Sequence, residues 1–271
     1  MGVPFDPGVL VSLGVAEWLY LRALRILRRR GVDVPAGQVV CWHIAMTCWV
    51  VGLLSPLDPL GDEVLSAHMA QHLLIADIAA PFALAGVRNP LLAFYLPRRV
   101  LVALARTHWL RSTFHFLHQP LVAGPLWVLV VYTWHLSLLF EGAERHPLVH
   151  AVQHMSFVGA AVLLWWPVLE PKRRRMPGAL WKIPYIFGAR LSTMFLAMGF
   201  LFARSPLYEG VYGAADRHGL TWRADQQTAG GFMMVLDILI MVGSLCWLFW
   251  RAAQDDVRAE ERERAGAAAA T

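Results

Sequence analysis

The chain has 271 residues, of which 57% are hydrophobic and 16% are charged, and its mean hydropathy is +0.48. A soluble globular domain of this size is less apolar, so we expect an integral membrane protein. The net charge of +5 comes from arginines gathered in connecting segments. That pattern is a signal of membrane topology and not of nucleic-acid binding, and we expect no nucleic-acid partner.

Seven apolar runs of about 20 residues predict an all-α polytopic membrane protein with a seven-transmembrane-helix bundle. The stretch over about residues 91–110 mixes arginines with apolar residues around Pro97, which predicts an interfacial helix and not an eighth span. We expect the transmembrane domain to cover residues 1–254, followed by a charged cytoplasmic tail over residues 255–271. The predicted spans are residues 8–27, 39–57, 64–86, 120–140, 148–169, 183–203 and 228–250.

The positions of the arginines predict the orientation of the bundle. The connections after the first, third and fifth predicted spans are basic, the last of them through Lys172 and Arg173–Arg175, whereas the alternate connections are acidic or mixed. Because cytoplasmic loops carry the excess of Lys and Arg, we expect the N-terminus outside and the C-terminus in the cytoplasm.

Five histidines on three helices are predicted to lie in the outer third of the membrane. His68 with His72, and His150 with His154, form i,i+4 pairs near the outer ends of the third and fifth spans, and His135 is near the outer end of the fourth. Imidazoles four residues apart share one helix face, and ligating groups inside a span are functional candidates by default. We therefore expect a shared metal site. For a single histidine, the alternative is snorkelling or a hydrogen bond to a neighbouring helix.

Other polar and sulfur-containing side chains add to this picture. Thioether and imidazole ligands together favour copper, especially Cu(I), over hard cations. Asp225 precedes the last predicted span at its outer edge, where it is expected to orient an imidazole or attract the cation. Asp77 is about half a turn from the His68/His72 face, so we expect it to form interhelical pairs, together with the other buried ionisable groups Glu17, Arg190 and Asp237. The methionines in question are Met69, Met155, Met198 and Met233, and for each of them the alternative, which is the commoner case in membrane helices, is packing between helices.

Three blocks of sequence resemble the multispanning CtaG family of cytochrome c oxidase assembly factors. They are HMAQHLL in the third span, WHLSLLFEGAERHPLVHAVQHMSFVGAAVLLWWPVLEP across the fourth and fifth, and DQQTAGGFMM at the start of the seventh. The resemblance implies a multi-pass protein of the bacterial plasma membrane that is needed to give the oxidase its copper. The resemblance also implies that the metal-site positions in this chain are His68, His72, His135, His150, His154 and Asp225.

The expected function is that of a non-enzymatic, copper-binding assembly factor. It would capture copper from a donor protein at the outer face and help deliver it to the copper-containing subunit of cytochrome c oxidase. The sequence is compatible with an oligomer as well as with a monomer. Two alternatives remain, a copper transporter and a b-haem electron carrier. Ligating groups thin out toward the inner half of the chain's spans, which disfavours transport. The i,i+4 pairs at one depth disfavour two haems stacked across the membrane.

Overall fold

The computed structural model describes residues 6–170, 180–213, 216 and 218–269. These residues form an all-helical protein, as the sequence predicts. The helices are α1 (Pro7–Arg29), α2 (Ala36–Leu54), α3 (Leu57–Gly61), α4 (Leu65–Gly86), α5 (Leu92–Tyr95), α6 (Arg98–Arg106), α7 (His108–Leu117), α8 (Pro120–Trp134), α9 (Ser137–Arg145), α10 (Pro147–Leu169), α11 (Lys182–Phe202), α12 (Glu209–Tyr212) and α13 (Trp222–Ala269).

Within the described ranges, five helices are long and apolar enough to cross a membrane, fewer than the seven spans predicted. They are α2, α4, α10, α11 and the stretch Trp222–Gln254 of α13. The pair α7 and α8, bent by 79° at the break between them, is a sixth if it counts as one span. Helix α1 has 23 residues but includes Glu17, Arg22 and Arg25, and it is not among them. The chain is therefore a multi-pass membrane protein with five or six candidate spans.

Several predicted segments have different boundaries in the structure. The predicted span 120–140 is two helices, because the backbone becomes extended at Leu136 between α8 and α9. The predicted interfacial segment is divided at Pro97 into α5 and α6, as expected where proline disfavours helix in the residue before it. Helix α13 continues through most of the predicted tail. The basic loop Lys172–Arg175, used for the orientation, lies outside the described residues.

Helix α4 is the centre of the bundle. It packs against α2 on one side, α10 on another and the start of α13 at its first turns. In its apolar stretch, 56% of the residues are buried, whereas the corresponding share in the other four candidate spans is 17–33%. Residues Leu73–Ile78 of α4 are π-helical and follow directly after His72. Such π turns are rare inside α-helices and are frequently found at functional sites.

A buried charge network ties α4 to α11 and α13. Arg190 of α11 is completely buried, and its Nη1 donates hydrogen bonds to Oδ1 of Asp77 and, at 3.0 Å, to Oδ1 of Asp237. Its guanidinium also lies over the rings of Trp127 and Trp165, 5.4 and 5.9 Å from their centroids. This confirms the expected pairing of Asp77, Arg190 and Asp237.

Replacing Arg190 tests whether this network stabilises the bundle. The substitution Arg190→Met leaves two buried carboxyl groups without their cation, so we expect the free energy of unfolding to fall by about 3–5 kcal/mol. Thermal or SDS-induced unfolding in detergent measures it. The exposed Arg99→Met is the control and should leave the midpoint unchanged; equal midpoints for both variants would show that the network is not stabilising.

Candidate metal centre

Helices α4 and α10 both begin at the same end of the bundle and bring their histidine pairs into contact there. The ring centroids of His68 and His150 are 5.4 Å apart, and those of His72 and His154 are 5.0 Å apart. Along each helix, the i,i+4 neighbours are 4.2 and 4.3 Å apart. These distances bring together four of the six residues that the sequence predicts for the site, and we name these four imidazoles the histidine cluster.

Three members of the histidine cluster have the spacing of a metal site. One nitrogen each from His68, His72 and His150 lies within 4.8 Å of the other two. Nitrogens bound to one tetrahedral ion at about 2.0–2.1 Å are roughly 3.4 Å apart, so small side-chain rotations would close the group around an ion. The ring of His154 contacts the rings of both His72 and His150 and could supply a fourth nitrogen.

His135, at the end of α8, stands to one side of the histidine cluster. The ring of Phe157 contacts the rings of both His72 and His135, at centroid distances of 4.9 and 6.1 Å. Nδ1 of His135 lies 2.7 Å from the carbonyl oxygen of Val131. The structure thus brings four of the five predicted histidines into one cluster and places the fifth behind the ring of Phe157.

Glu144 belongs to the site and was missed from the sequence. Its side chain is only 4% exposed, and its Oε1 lies 3.4 Å from Nδ1 of His68 and 3.7 Å from Nε2 of His150. It is near the end of α9, six residues before His150 in the segment EGAERHPLVH. The available signal was an acidic residue in a short connection that leads directly into a histidine pair.

The buried polar atoms of the site have few partners. Such atoms are usually hydrogen-bonded, and leaving one unpaired costs about 1–3 kcal/mol. A bound cation would satisfy many of these lone pairs at once, so the site fits a metal ion better than it fits a set of structural histidines. Across the described residues, the buried atoms without a hydrogen-bond partner include both ring nitrogens of His68 and His72, Nε2 of His135, His150 and His154, and Oε1 of Glu144.

The structure places Asp225 differently from the other predicted site residues. Its Oδ2 accepts a hydrogen bond from the backbone N–H of Leu65 at 2.8 Å, and its Oδ1 accepts one from Ser66 at 2.9 Å. These are first-turn N–H groups of α4, which have no acceptor within their own helix. Asp225 therefore caps the helix that bears His68 and His72, and it is not in the three-residue group around the candidate ion.

The predicted methionines divide into two groups. Met155 and Met198 are 74% and 39% exposed, so the structure does not bring them to the histidine cluster. Met69 and Met233 are 1% and 5% exposed and line a cavity together with His72.

Comparison with known families agrees with this arrangement. The sequence profile of the cytochrome c oxidase caa3 assembly factors (Caa3_CtaG) matches residues 18–255, which include every side chain of the site. The chain belongs to this family. The match confirms the resemblance seen in the three sequence blocks, and it extends over most of the chain.

Relatives of this CtaG-family chain are found in mycobacteria. Uncharacterized proteins from Mycobacterium bovis and Mycobacterium tuberculosis are each 26% identical over 282 aligned residues, which cover 94% of this chain but 39% of theirs. One from Mycobacterium leprae is 26% identical over 216 residues, covering 72% of this chain and 32% of its own. The chain thus spans about two fifths or less of the length of these relatives. No solved structure matches it significantly.

In this CtaG-family site, acidic groups surround the histidine cluster on the α3 and α9 side. The pKa of the Glu144 carboxyl is raised to about 8, mainly by burial and in smaller part by the nearby Asp62 and Asp58. Burial likewise raises the pKa of both Asp58 and Asp62. Gly61 allows α3 to approach the start of α4 closely, because a Cβ at residue 61 would lie only 3.3 Å from Cα of His68. In their ionised form, these carboxyl groups favour the entry of a cation.

Cation binding should release the proton of Glu144. With a pKa of about 8, this carboxyl is mostly protonated at pH 7, and a cation against Oε1 displaces the proton. We expect proton release when Cu(I) is added to weakly buffered protein at pH 7, and an affinity that rises with pH and levels off above about 8. The variant Glu144→Gln should lose both effects. Glu141→Gln, one turn earlier on α9, is the matched control; equal release from all three proteins would contradict the assignment.

Asp225 should act on stability and not on metal stoichiometry. The substitution Asp225→Ala removes two acceptors from the first turn of α4, so we expect a loss of about 0.5–2 kcal/mol in the free energy of unfolding. Asp225→Asn keeps one acceptor and should lose less. Metal content after saturation and the unfolding midpoint are measured together. If metal is lost while the midpoint stays constant, Asp225 is a ligand and not a cap.

Proposed function

We propose that this chain binds copper in the histidine cluster, with Cu(I) favoured, and helps deliver it to cytochrome c oxidase. The observation that carries the proposal is the group of three imidazole nitrogens within 4.8 Å of one another, in a cluster whose buried ring nitrogens include several with no hydrogen-bond partner among the described residues. Imidazole suits copper, and the buried site excludes most of the water that a hard cation would keep. Membership in the family of caa3 oxidase assembly factors supports the oxidase as the destination.

The cluster offers more donors than a single ion requires. Each imidazole of the cluster contacts at least two others, and the Glu144 carboxyl lies near His68 and His150, so the ion could exchange one donor for another without leaving the site. The same property would let the ligands of an acceptor protein replace these donors stepwise. The side chain of His150 is 20% exposed and is the most accessible of the residues in the three-nitrogen group, so we place the exchange there. This role involves no catalytic step, and copper is its cargo.

We further propose a seven-span arrangement in the bacterial plasma membrane, with the histidine cluster at the outer face. Helix α1 would be the seventh span; Val11 and Trp18 are 63% and 57% exposed, as expected for side chains that contact lipid. The basic connections would lie in the cytoplasm, the N-terminus outside and the C-terminus inside. A copper donor protein and the copper-containing oxidase subunit would then meet the cluster from the outside.

The two rival functions are separated by geometry and by assay. A haem held between α4 and α10 would need a slot of porphyrin width, whereas the rings of His72 and His154 are already in contact at 5.0 Å. The cavity beneath His72 keeps transport as the second candidate function. Uptake of copper into proteoliposomes that contain the chain would favour the transporter over the assembly factor.

Anaerobic titration with Cu(I) against a competing chelator tests the proposal. We expect both His72→Ala and His154→Ala to weaken the affinity, by on the order of tenfold or more, because each removes a donor from the shared cluster. The matched control is His43→Ala, an exposed histidine of α2 whose Nδ1 lies 2.8 Å from its own helix at Val39 O. Equal affinity in all variants, or no binding by the unsubstituted chain, would overturn the copper site.

A further inference from the structure

A cavity lies directly beneath the histidine cluster, toward the middle of the bundle. Its lining includes His72, His135, Met69 and Met233, which come from α4, α8 and α13. His72 is thus common to the histidine cluster and the cavity. The two spaces are adjacent along α4, with one imidazole between them.

The donors in the cavity differ in chemistry from those of the histidine cluster. Met69 and Met233 are almost completely buried and offer two thioether sulfurs. His135 offers one imidazole nitrogen, and its tautomer is fixed by a hydrogen bond. Nδ1 lies 2.7 Å from the carbonyl oxygen of Val131, which can only accept, so Nδ1 carries the proton. Its Nε2 therefore keeps a free lone pair, and it is buried with no partner among the described residues. A ligand histidine is typically held in this way by a carbonyl on its other nitrogen.

The charges at the floor of the cavity fit a monovalent cation. Asp77 and Asp237 line it, and both bond to the single guanidinium of Arg190. Counted as carboxylates, the two acids and the one guanidinium sum to a formal charge of −1. A monovalent cation in the cavity would balance that charge, whereas a divalent cation would leave a net positive charge in an apolar interior, which is unfavourable.

We propose that this cavity is a second copper site, selective for Cu(I), in which the sulfurs of Met69 and Met233 and Nε2 of His135 hold the ion. The imidazoles and carboxyl of the outer cluster accept ions of either charge, but thioethers select the soft monovalent ion. The ion passes between the two sites at His72 as Cu(I), with no change of oxidation state. This inference rests on the proposed function and adds to it a second, inner position for the cargo.

The test is to count and characterise copper in the full-length chain. The protein is loaded anaerobically with excess Cu(I) in detergent, freed of unbound ion, and examined for copper content and by X-ray absorption at the copper edge. We expect two coppers per chain and a Cu–S scattering contribution. The double variant Met69→Leu/Met233→Leu should retain one copper and lose the sulfur contribution. The control Met155→Leu removes an exposed thioether and should change neither result.

The outcomes separate the inner site from the proposed function. One copper with only light-atom scattering in the unsubstituted chain overturns the inner site and leaves the histidine cluster intact, and sulfur scattering that persists in the double variant also overturns it. No copper at all overturns both. If the double variant does not fold, each single Met→Leu variant should lower the sulfur amplitude, and an unchanged amplitude in both would contradict the proposal. His68→Ala should lose the outer copper but keep the sulfur contribution.

Discussion

The burial of imidazoles without hydrogen-bond partners is the constraint on which the rest of this structure depends. His68 and His72 lie at the start of α4, where unpaired ring nitrogens oppose burial, so the helix must be held by interactions elsewhere. Asp225 holds its first turn through two backbone N–H groups, and the Arg190 network holds its middle. The bundle thus keeps in place a set of buried donors without hydrogen-bond partners among the described residues, which is the arrangement that the proposed copper site requires.

Helical spacing and span order were enough to predict the histidine cluster. Because i,i+4 imidazoles must share a face, and spans must alternate in direction, His68, His72, His150 and His154 had to lie at one end of the bundle. The pairing of Asp77, Arg190 and Asp237 was also predictable, since isolated charges in a span are too costly. Both predictions rest on constraints that the membrane imposes whatever the packing of the helices.

Features that depend on the rotation and ends of helices were not predictable. Periodicity does not show that α8 ends at Trp134, and this break sets the position of His135 behind Phe157. Glu144 looked like one more charge in an outer connection, because nothing local indicates that a short helix folds it inward against His68. Asp225 was predicted to lie with the histidines and does contact the start of α4, but that position alone does not separate a ligand from a helix cap.

The π-helical turn of α4 explains why the cluster and the charge network share one cavity. In a regular α-helix, Asp77 would point about half a turn away from the face of His68 and His72. The π turn over Leu73–Ile78 replaces i,i+4 by i,i+5 hydrogen bonds, which brings residues five apart toward the same side. His72 and Asp77 are five apart, and both line the cavity that also contains Met233 and His135. The π turn, which the sequence pattern does not indicate, therefore places the histidine cluster and the Asp77–Arg190–Asp237 network around one cavity, and the proposed inner copper site depends on this arrangement.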